Sequence, residues 1–374
     1  MDQKELIPIA IPNLEGNELK YVTDCIKTSW ISSKGGYITK FEENFSSYCG
    51  TNHGVAVSNG TVALHLALTA LGIGPGDEVI VPSLTFIASA NSVSYCGAKP
   101  VFVDVDIHTW NMNPEEIEKA ISPNTKAIMP VHLYGNPCDM KSIKEIADKY
   151  KLFIIEDAAE AHGAIFGNKK VGTFSDISCF SFFGNKVITT GEGGMCLTND
   201  LELDKKMRVL RDHGMSKERK YWHEVLGFNY RMTNLQAAVG VAQLERIDEF
   251  LESKKQIAEW YRKYLSTLTN VRFQRQYLGA ESIWWMTSIM FDYLYFDRDK
   301  LISYLHENGI DARPVFSLIH EMPHHKKDNI MPIAKKISRN SLSLPSFVGL
   351  TEDKVRFICE KISLFLDKNK TGFS

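Results

Sequence analysis

The 374-residue chain lacks most of the motifs that announce a function at once. Its seven cysteines form no C-x-x-C pair, which leaves no basis for a zinc ribbon or a thioredoxin-like site. An odd number spread over a long chain fits a reducing compartment better than a disulfide framework. There is no H-E-x-x-H, and no metal is expected. No G-x-G-x-x-G follows the first strand-like run and no Walker lysine motif occurs, which disfavours a nicotinamide-dependent oxidoreductase. Nowhere do 18 apolar residues follow one another, so no membrane span is expected. Neither charge sign dominates: 43 Lys plus Arg face 45 Asp plus Glu, a net charge of −2. That balance gives no bulk electrostatic reason to bind nucleic acid or anionic lipid. The charged start Met1-Asp2-Gln3-Lys4-Glu5 leads into no apolar signal region. Thr371-Gly372-Phe373-Ser374 carries no prenylation motif. A cytoplasmic protein is the expectation. There is no internal repeat, low-complexity tract or extended linker.

What is present is ordinary globular composition, 44% hydrophobic and 24% charged, on a chain long enough for two domains. Apolar runs at 78–82, 100–104, 127–133, 153–156, 177–182 and 194–198 predict strands. Most are apolar throughout, as expected of strands covered on both faces. Residues 61–72, 114–121 and 140–150 predict helices between them. The alternation predicts an α/β domain on a mostly parallel sheet. Thr233-Asn234-Leu235-Gln236 matches a capping box. Val241, Leu244, Ile247 and Phe250 then recur at helical spacing, predicting a long helix, with a kink or break allowed. Strands near 271–274 and 284–291 and helices at 299–308 and from 351 predict a smaller α+β domain. The expected division is 1–240 and 241–374.

Four places could carry chemistry. Ser58-Asn59-Gly60-Thr61 precedes a helix, whose free N–H groups and dipole suit a phosphate. Plain capping by Asn59 or Thr61 explains the same residues. Glu156 and Asp157 end an apolar strand, before Ala158-Ala159-Glu160-Ala161-His162-Gly163, where open α/β sheets bind ligands. A solvated strand end is the alternative. Lys186 follows the aromatic run Phe180-Ser181-Phe182-Phe183-Gly184-Asn185, beside the glycine-rich turn 189–194. A sheltered lysine amine can lose its proton and act as a nucleophile; most lysines are simply surface residues. Phe86, in Pro82-Ser83-Leu84-Thr85-Phe86, could stack on a planar ring or pack in the core. Their order is the order of parts that pyridoxal 5′-phosphate needs: phosphate donors, a ring-stacking aromatic, an acid for the pyridine nitrogen, and a lysine for the Schiff base. His324 and His325 beside Lys326 and Lys327 read as a basic turn.

With these residues in place, the sequence resembles the DegT/StrS sugar-nucleotide aminotransferases, fold-type I pyridoxal-phosphate enzymes. The resemblance spans nearly the whole chain. It rests on Thr28-Ser29-Trp30-Ile31-Ser32-Ser33, Asn59-Gly60-Thr61-Val62-Ala63-Leu64, Pro82 to Phe86, Glu156 to Gly163, Phe180 to Gly194, Gly227-Phe228-Asn229-Tyr230-Arg231-Met232 and Leu344-Pro345-Ser346. It implies an aspartate-aminotransferase-like fold, with a seven-stranded, mostly parallel sheet and a smaller C-terminal α+β domain. It implies Lys186 as the Schiff-base lysine, Asp157 as the partner of the pyridine nitrogen, and Gly60, Thr61 and Ser181 as phosphate donors. Phe86 is the implied stacking ring, and Asn229 the residue that reaches the phosphate of a neighbouring subunit in a homodimer. Glu160 stands where the group often has Gln; a carboxylate donates a hydrogen bond only when protonated. Trp30 and His320 match sugar-nucleotide contacts, although Phe316-Ser317-Leu318-Ile319 departs from the proline-containing pattern before His320. Arg231 and Arg313 are candidate anion contacts or structural ion pairs. The stretches at 30–35 and 184–186 most resemble the perosamine-synthase branch. That branch implies transfer of an amine from L-glutamate, through pyridoxamine 5′-phosphate, to C4 of GDP-4-keto-6-deoxymannose, as used for O-antigen lipopolysaccharide. A dTDP- or UDP-linked keto sugar, amination at C3, and a non-catalytic, cofactor-binding regulator are the alternatives. Lysine at 186 argues against the dehydratase branch, which has histidine there.

Overall fold

The computed structural model describes residues 6–216, 218–293, 296–326 and 330–369. The charged start, the C-terminal 371–374 and Lys327 lie outside the described residues. Seven strands form the large sheet: β1 (His53–Val57), β2 (Glu78–Pro82), β3 (Lys99–Val103), β4 (Thr125–Ile128), β5 (Phe153–Asp157), β8 (Ile177–Ser181) and β9 (Gly194–Thr198). Between β5 and β8 a short hairpin, β6 (Ile165–Phe166) and β7 (Lys169–Lys170), pairs with β11 (Ala280–Glu281). The order is β1-β9-β8-β5-β4-β2-β3. Every pair from β8 to β3 is parallel, and β9 runs antiparallel to both its neighbours. The sheet is thus mostly parallel, as the α/β alternation requires. Strands β2, β8 and β9 are buried along their whole length, which explains their lack of a polar face.

The helices Gly60–Ala70, Ala88–Tyr95, Pro114–Ala120 and Met140–Tyr150 lie between successive strands. Asn59, Asn113 and Asp139 accept first-turn N–H groups of three of them. The helix Ala88–Tyr95 was not predicted, because its small and serine-rich sequence shows no apolar stripe. Strand β1 escaped prediction as well. The run expected at 127–133 ends as a strand at Ile128. Pro130 follows two residues later and has no N–H for a ladder. The chain then forms a short 3₁₀ turn at Leu133–Gly135.

The capping box at Thr233 and Gln236 is present. The long helical run is broken at Glu245 and Arg246, giving Asn234–Leu244 and Ile247–Leu265. The second of these joins two cores: Ile247 and Phe250 pack with the large sheet, while Ile257, Tyr261 and Leu265 pack in a separate C-terminal cluster. That cluster lies on a four-stranded sheet in the order β10-β12-β14-β13, with β10 Val271–Phe273, β12 Thr287–Phe291, β13 Arg313–Pro314 and β14 Ser341–Leu344. The helices Arg298–Glu307 and Glu352–Lys368 supply most of its other buried side chains. The start of the chain crosses to this body, since Ile7 packs there and exchanges backbone hydrogen bonds with Gly309 and Asp311. Among the described residues no helix is long and apolar enough to cross a membrane.

Candidate active site

Strand β5 sends its last two carboxylates to opposite faces of the sheet. Glu156 accepts from Gly172 N, Phe174 N and Ser175 Oγ and lies 3.2 Å from His132 Nε2. Burial would raise its pKa, but His132 and these donors together hold it below the usual value. Its capacity is spent on structure. Asp157 faces the other way at the carboxyl end of the sheet. Its Oδ2 accepts from Ser89 Oγ at 2.7 Å and its Oδ1 from Ala159 N at 3.2 Å. Burial pushes its carboxyl upward, against those two donors and Lys186.

Lys186 stands on the loop after β8. The loop is closed by Lys186 N donating to Phe183 O and Thr190 N donating to Phe182 O. The amine lies 3.9 Å from Glu160 Oε1 and 4.0 Å from the centre of the Trp285 ring. Burial pulls its pKa down, while Glu160 and Asp157 push it up. It is a sheltered lysine and not a surface one. Glu160 accepts from Tyr134 N at 2.7 Å through Oε2. Burial pushes its carboxyl up to about 7, with Lys186 opposing. A substantial fraction is protonated at neutral pH, so this carboxyl can donate as a glutamine would.

At the start of the helix Gly60–Ala70, Asn59 Oδ1 accepts from Val62 N at 3.0 Å. Capping therefore takes one first-turn donor and leaves those of Gly60 and Thr61 at the helix tip. A Cβ at Gly60 would lie 2.7 Å from Ser181 Cβ, so the helix start sits directly against the end of β8. Donors from two elements thereby meet in one cradle. Phe86 is 55% exposed, which removes core packing as its explanation. Its ring lies 5.8 Å from Phe316, which stacks on Tyr134 at 5.4 Å. Tyr134 in turn stacks on Trp285 at 6.1 Å. His320 is buried with Nδ1 2.6 Å from Ser83 Oγ, and Ile319 N donates to Ser83 O. His320 thus docks on the loop that carries Phe86.

The remaining predicted residues stand apart. Asn229 is exposed, and its Oδ1 accepts from Nε and Nη2 of Arg231. Arg231 also pairs with Asp212 at 2.7 Å and contacts His213. This cluster sits beside the end of β1, through the Val57–Arg231 bridge. Among the described residues, no hydrogen bond joins Asn229 to Lys186, Asp157 or Ser181. The Trp30 ring is exposed, while its carbonyl accepts from Asn234 Nδ2. Arg313 is exposed on β13 and pairs with Asp311. Sequence reasoning missed Ser89, Tyr134 and Trp285. Each reaches the site through tertiary packing and belongs to no local motif.

The grouped residues fit pyridoxal 5′-phosphate: a sheltered amine, a buried acid facing it, a helix tip with no room for a side chain, and an open aromatic face. The DegT/DnrJ/EryC1/StrS aminotransferase family profile matches residues 12–363. The chain is 52% identical to a GDP-perosamine synthase of Caulobacter vibrioides, covering 92% of this chain and 94% of the relative. It is 49% identical to a GDP-perosamine synthase of Escherichia coli O157:H7, covering 96% and 98%. Among solved structures it resembles DesV of S. venezuelae, determined in complex with a ketimine intermediate. There the TM-score is 0.91 at 34% identity, over 97% of this chain and 99% of that one. The chain belongs to the DegT/DnrJ/EryC1/StrS aminotransferase family and is a pyridoxal-phosphate-dependent aminotransferase acting on a sugar nucleotide.

Proposed function

We propose that this enzyme moves the amino group of L-glutamate to C4 of GDP-4-keto-6-deoxymannose, forming GDP-perosamine. The reaction type rests on the burial of the Lys186 amine beside Asp157 and Glu160 at the carboxyl ends of the sheet. The sugar rests on the relatives that bear the perosamine-synthase name at 44% to 52% identity.

Bound pyridoxal phosphate supplies an electron sink for the carbon that loses its proton. The protein supplies the rest. Lys186 Nζ anchors the cofactor's aldehyde carbon and, once released, carries the proton to and from the reacting carbon. That role needs a neutral amine, and burial brings the amine closer to neutrality. Asp157 holds the pyridine nitrogen's proton, oriented by Ser89 and Ala159. Gly60 N–H, Thr61 and Ser181 Oγ hold the phosphate. Glu160 addresses the ring hydroxyl, as donor or acceptor according to its proton. Phe86 covers one ring face, and Trp285 shields the lysine from water. Asn229 is exposed and spends its Oδ1 on Arg231, and we assign it to the phosphate of a second subunit in a homodimer. Trp30, Arg313 and His320 are assigned to the sugar nucleotide. Arg231 is held by Asp212 and reads as the support of Asn229. We place the enzyme in the cytoplasm, where nucleotide sugars are made.

The test is incubation with ¹⁵N-labelled L-glutamate and GDP-, dTDP- or UDP-linked 4-keto-6-deoxy sugars, followed by NMR of the product. The label is expected at C4 of the GDP-linked sugar. Labelling at C3, or of a dTDP- or UDP-sugar alone, would overturn the assignment.

A further inference from the structure

A cavity of about 560 Å³ opens at the junction of the two cores, and none of its lining residues belongs to the cradle described above. Its wall carries Arg262, Arg272, Arg275 and His108 and includes no Asp or Glu. The chain as a whole has a net charge of −2, so this is a local concentration of positive charge. Arg272 is already paired with Asp292 at 2.5 Å. Arg262 is not paired in this way. Its guanidinium carbon lies 3.9 Å from the centre of the Trp284 ring and 5.6 Å from that of Phe273. Among the described residues no carboxylate comes within 4.0 Å of it, and Glu259 acts on it only at longer range. A guanidinium packed on one ring with a second ring nearby is partly positioned before any ligand arrives. Its N–H fork is unspent, and such a fork matches a phosphate or carboxylate in two parallel bonds. Arg275 is fixed at its backbone, donating to His108 O at 2.7 Å and accepting from Asn136 Nδ2 at 2.8 Å. Arg262 and Arg275, the arginines of the wall with no ion pair among the described residues, favour an anion with more than one charge, and the volume suits a small molecule.

We propose that this cavity is a second anion site, taking a di- or polyphosphate group with Arg262 as its bidentate contact and Arg275 and His108 beside it. The site is independent of the chemistry at Lys186. It adjoins that chemistry through the chain, because Trp284 precedes Trp285, the ring over the Lys186 amine.

The experiment is calorimetric titration of the cofactor-loaded enzyme with inorganic pyrophosphate, comparing wild type with Arg262→Gln. The catalytic site can take pyrophosphate in both proteins, so the number of sites per chain is the readout. Wild type is expected to bind one more pyrophosphate per chain, with that set weakened about tenfold or more in the variant, the scale of a hydrogen bond to a charged group. Equal numbers and affinities in the two proteins would overturn the proposal, as would no uptake by wild type outside the catalytic site. If circular dichroism shows that Arg262→Gln does not fold, Arg275→Gln replaces it. Weakening of the same set then supports the site, and an unchanged titration overturns it. A parallel titration with GDP distinguishes the source. Tighter Arg262-dependent binding than pyrophosphate identifies a nucleotide, and equal binding identifies free polyphosphate.

Discussion

Replacing Glu160 by glutamine tests how the buried charges of the site are balanced. Burial raises this carboxyl from 4.5 to about 7, and the Lys186 ammonium 3.9 Å away opposes that rise without cancelling it. Glutamine keeps the shape and can still accept the Tyr134 N–H. The folded protein therefore holds a proton on Glu160 up to about pH 7, whereas the unfolded chain releases it near 4.5. Across that window the folded state binds more protons, so this group's contribution to stability falls as pH rises. A rise of about 2.5 in pKa corresponds to about 3 kcal/mol in full. Glutamine also leaves Asp157 as the other nearby acid of Lys186, which reduces the gain. The expected advantage of the variant is therefore about 1–3 kcal/mol above neutral pH. Urea unfolding of the cofactor-free proteins from about pH 4 to about pH 8 measures it. Near about pH 4, below the unfolded value, the two should be nearly equally stable, with the gap opening in favour of Glu160→Gln as pH rises through about 7. A wild type more stable at pH 8, or a gap that ignores pH, would mean that the ion pair outweighs burial, and the reasoning would fail.

Four other outcomes are expected. Lys186→Ala should lose turnover by about 10³-fold or more, the scale of removing both anchor and proton carrier, in a steady-state assay. Asp157→Asn should slow the half-reaction with glutamate about 10²-fold in stopped-flow absorbance, with unfolding midpoints nearly unchanged because burial already weakens this carboxylate. Gly60→Ala should weaken cofactor binding and cost about 1–3 kcal/mol in urea unfolding, because the new Cβ would press on Ser181. Lys254 is buried, with its amine donating to Trp285 O and Ser346 O, and burial lowers its pKa from 10.5 to about 7. The folded state then binds fewer protons between those values, so stability should rise with pH there. Lys254→Met should remove that slope in unfolding measured at neutral and alkaline pH.

The parallel sheet was legible because strands such as β2 and β8 are apolar on both faces, a pattern that survives without alignment. The capping box at Thr233 was legible because it is local. Strand β1 and the helix Ala88–Tyr95 were not, since their fit depends on neighbours and not on period. The same division applies to the site. Gly60 begins a helix, Asp157 ends a strand and Lys186 stands on the loop just after one, where the chemistry of strand ends and helix tips can be read from sequence. Ser89, Tyr134 and Trp285 reach the site from distant segments, and nothing in their own surroundings announces it. Glu156 and Asp157 are adjacent in sequence and equally apolar in context. Only the pleat decides that one supports the fold and the other faces the site.

The most direct measurement is the absorption spectrum of the cofactor-loaded protein before and after L-glutamate, then after GDP-4-keto-6-deoxymannose. A visible band should give way to a near-ultraviolet band with glutamate and return with the keto sugar. A band unmoved by glutamate, or a protein that stays colourless with pyridoxal phosphate, would contradict the assignment of Lys186.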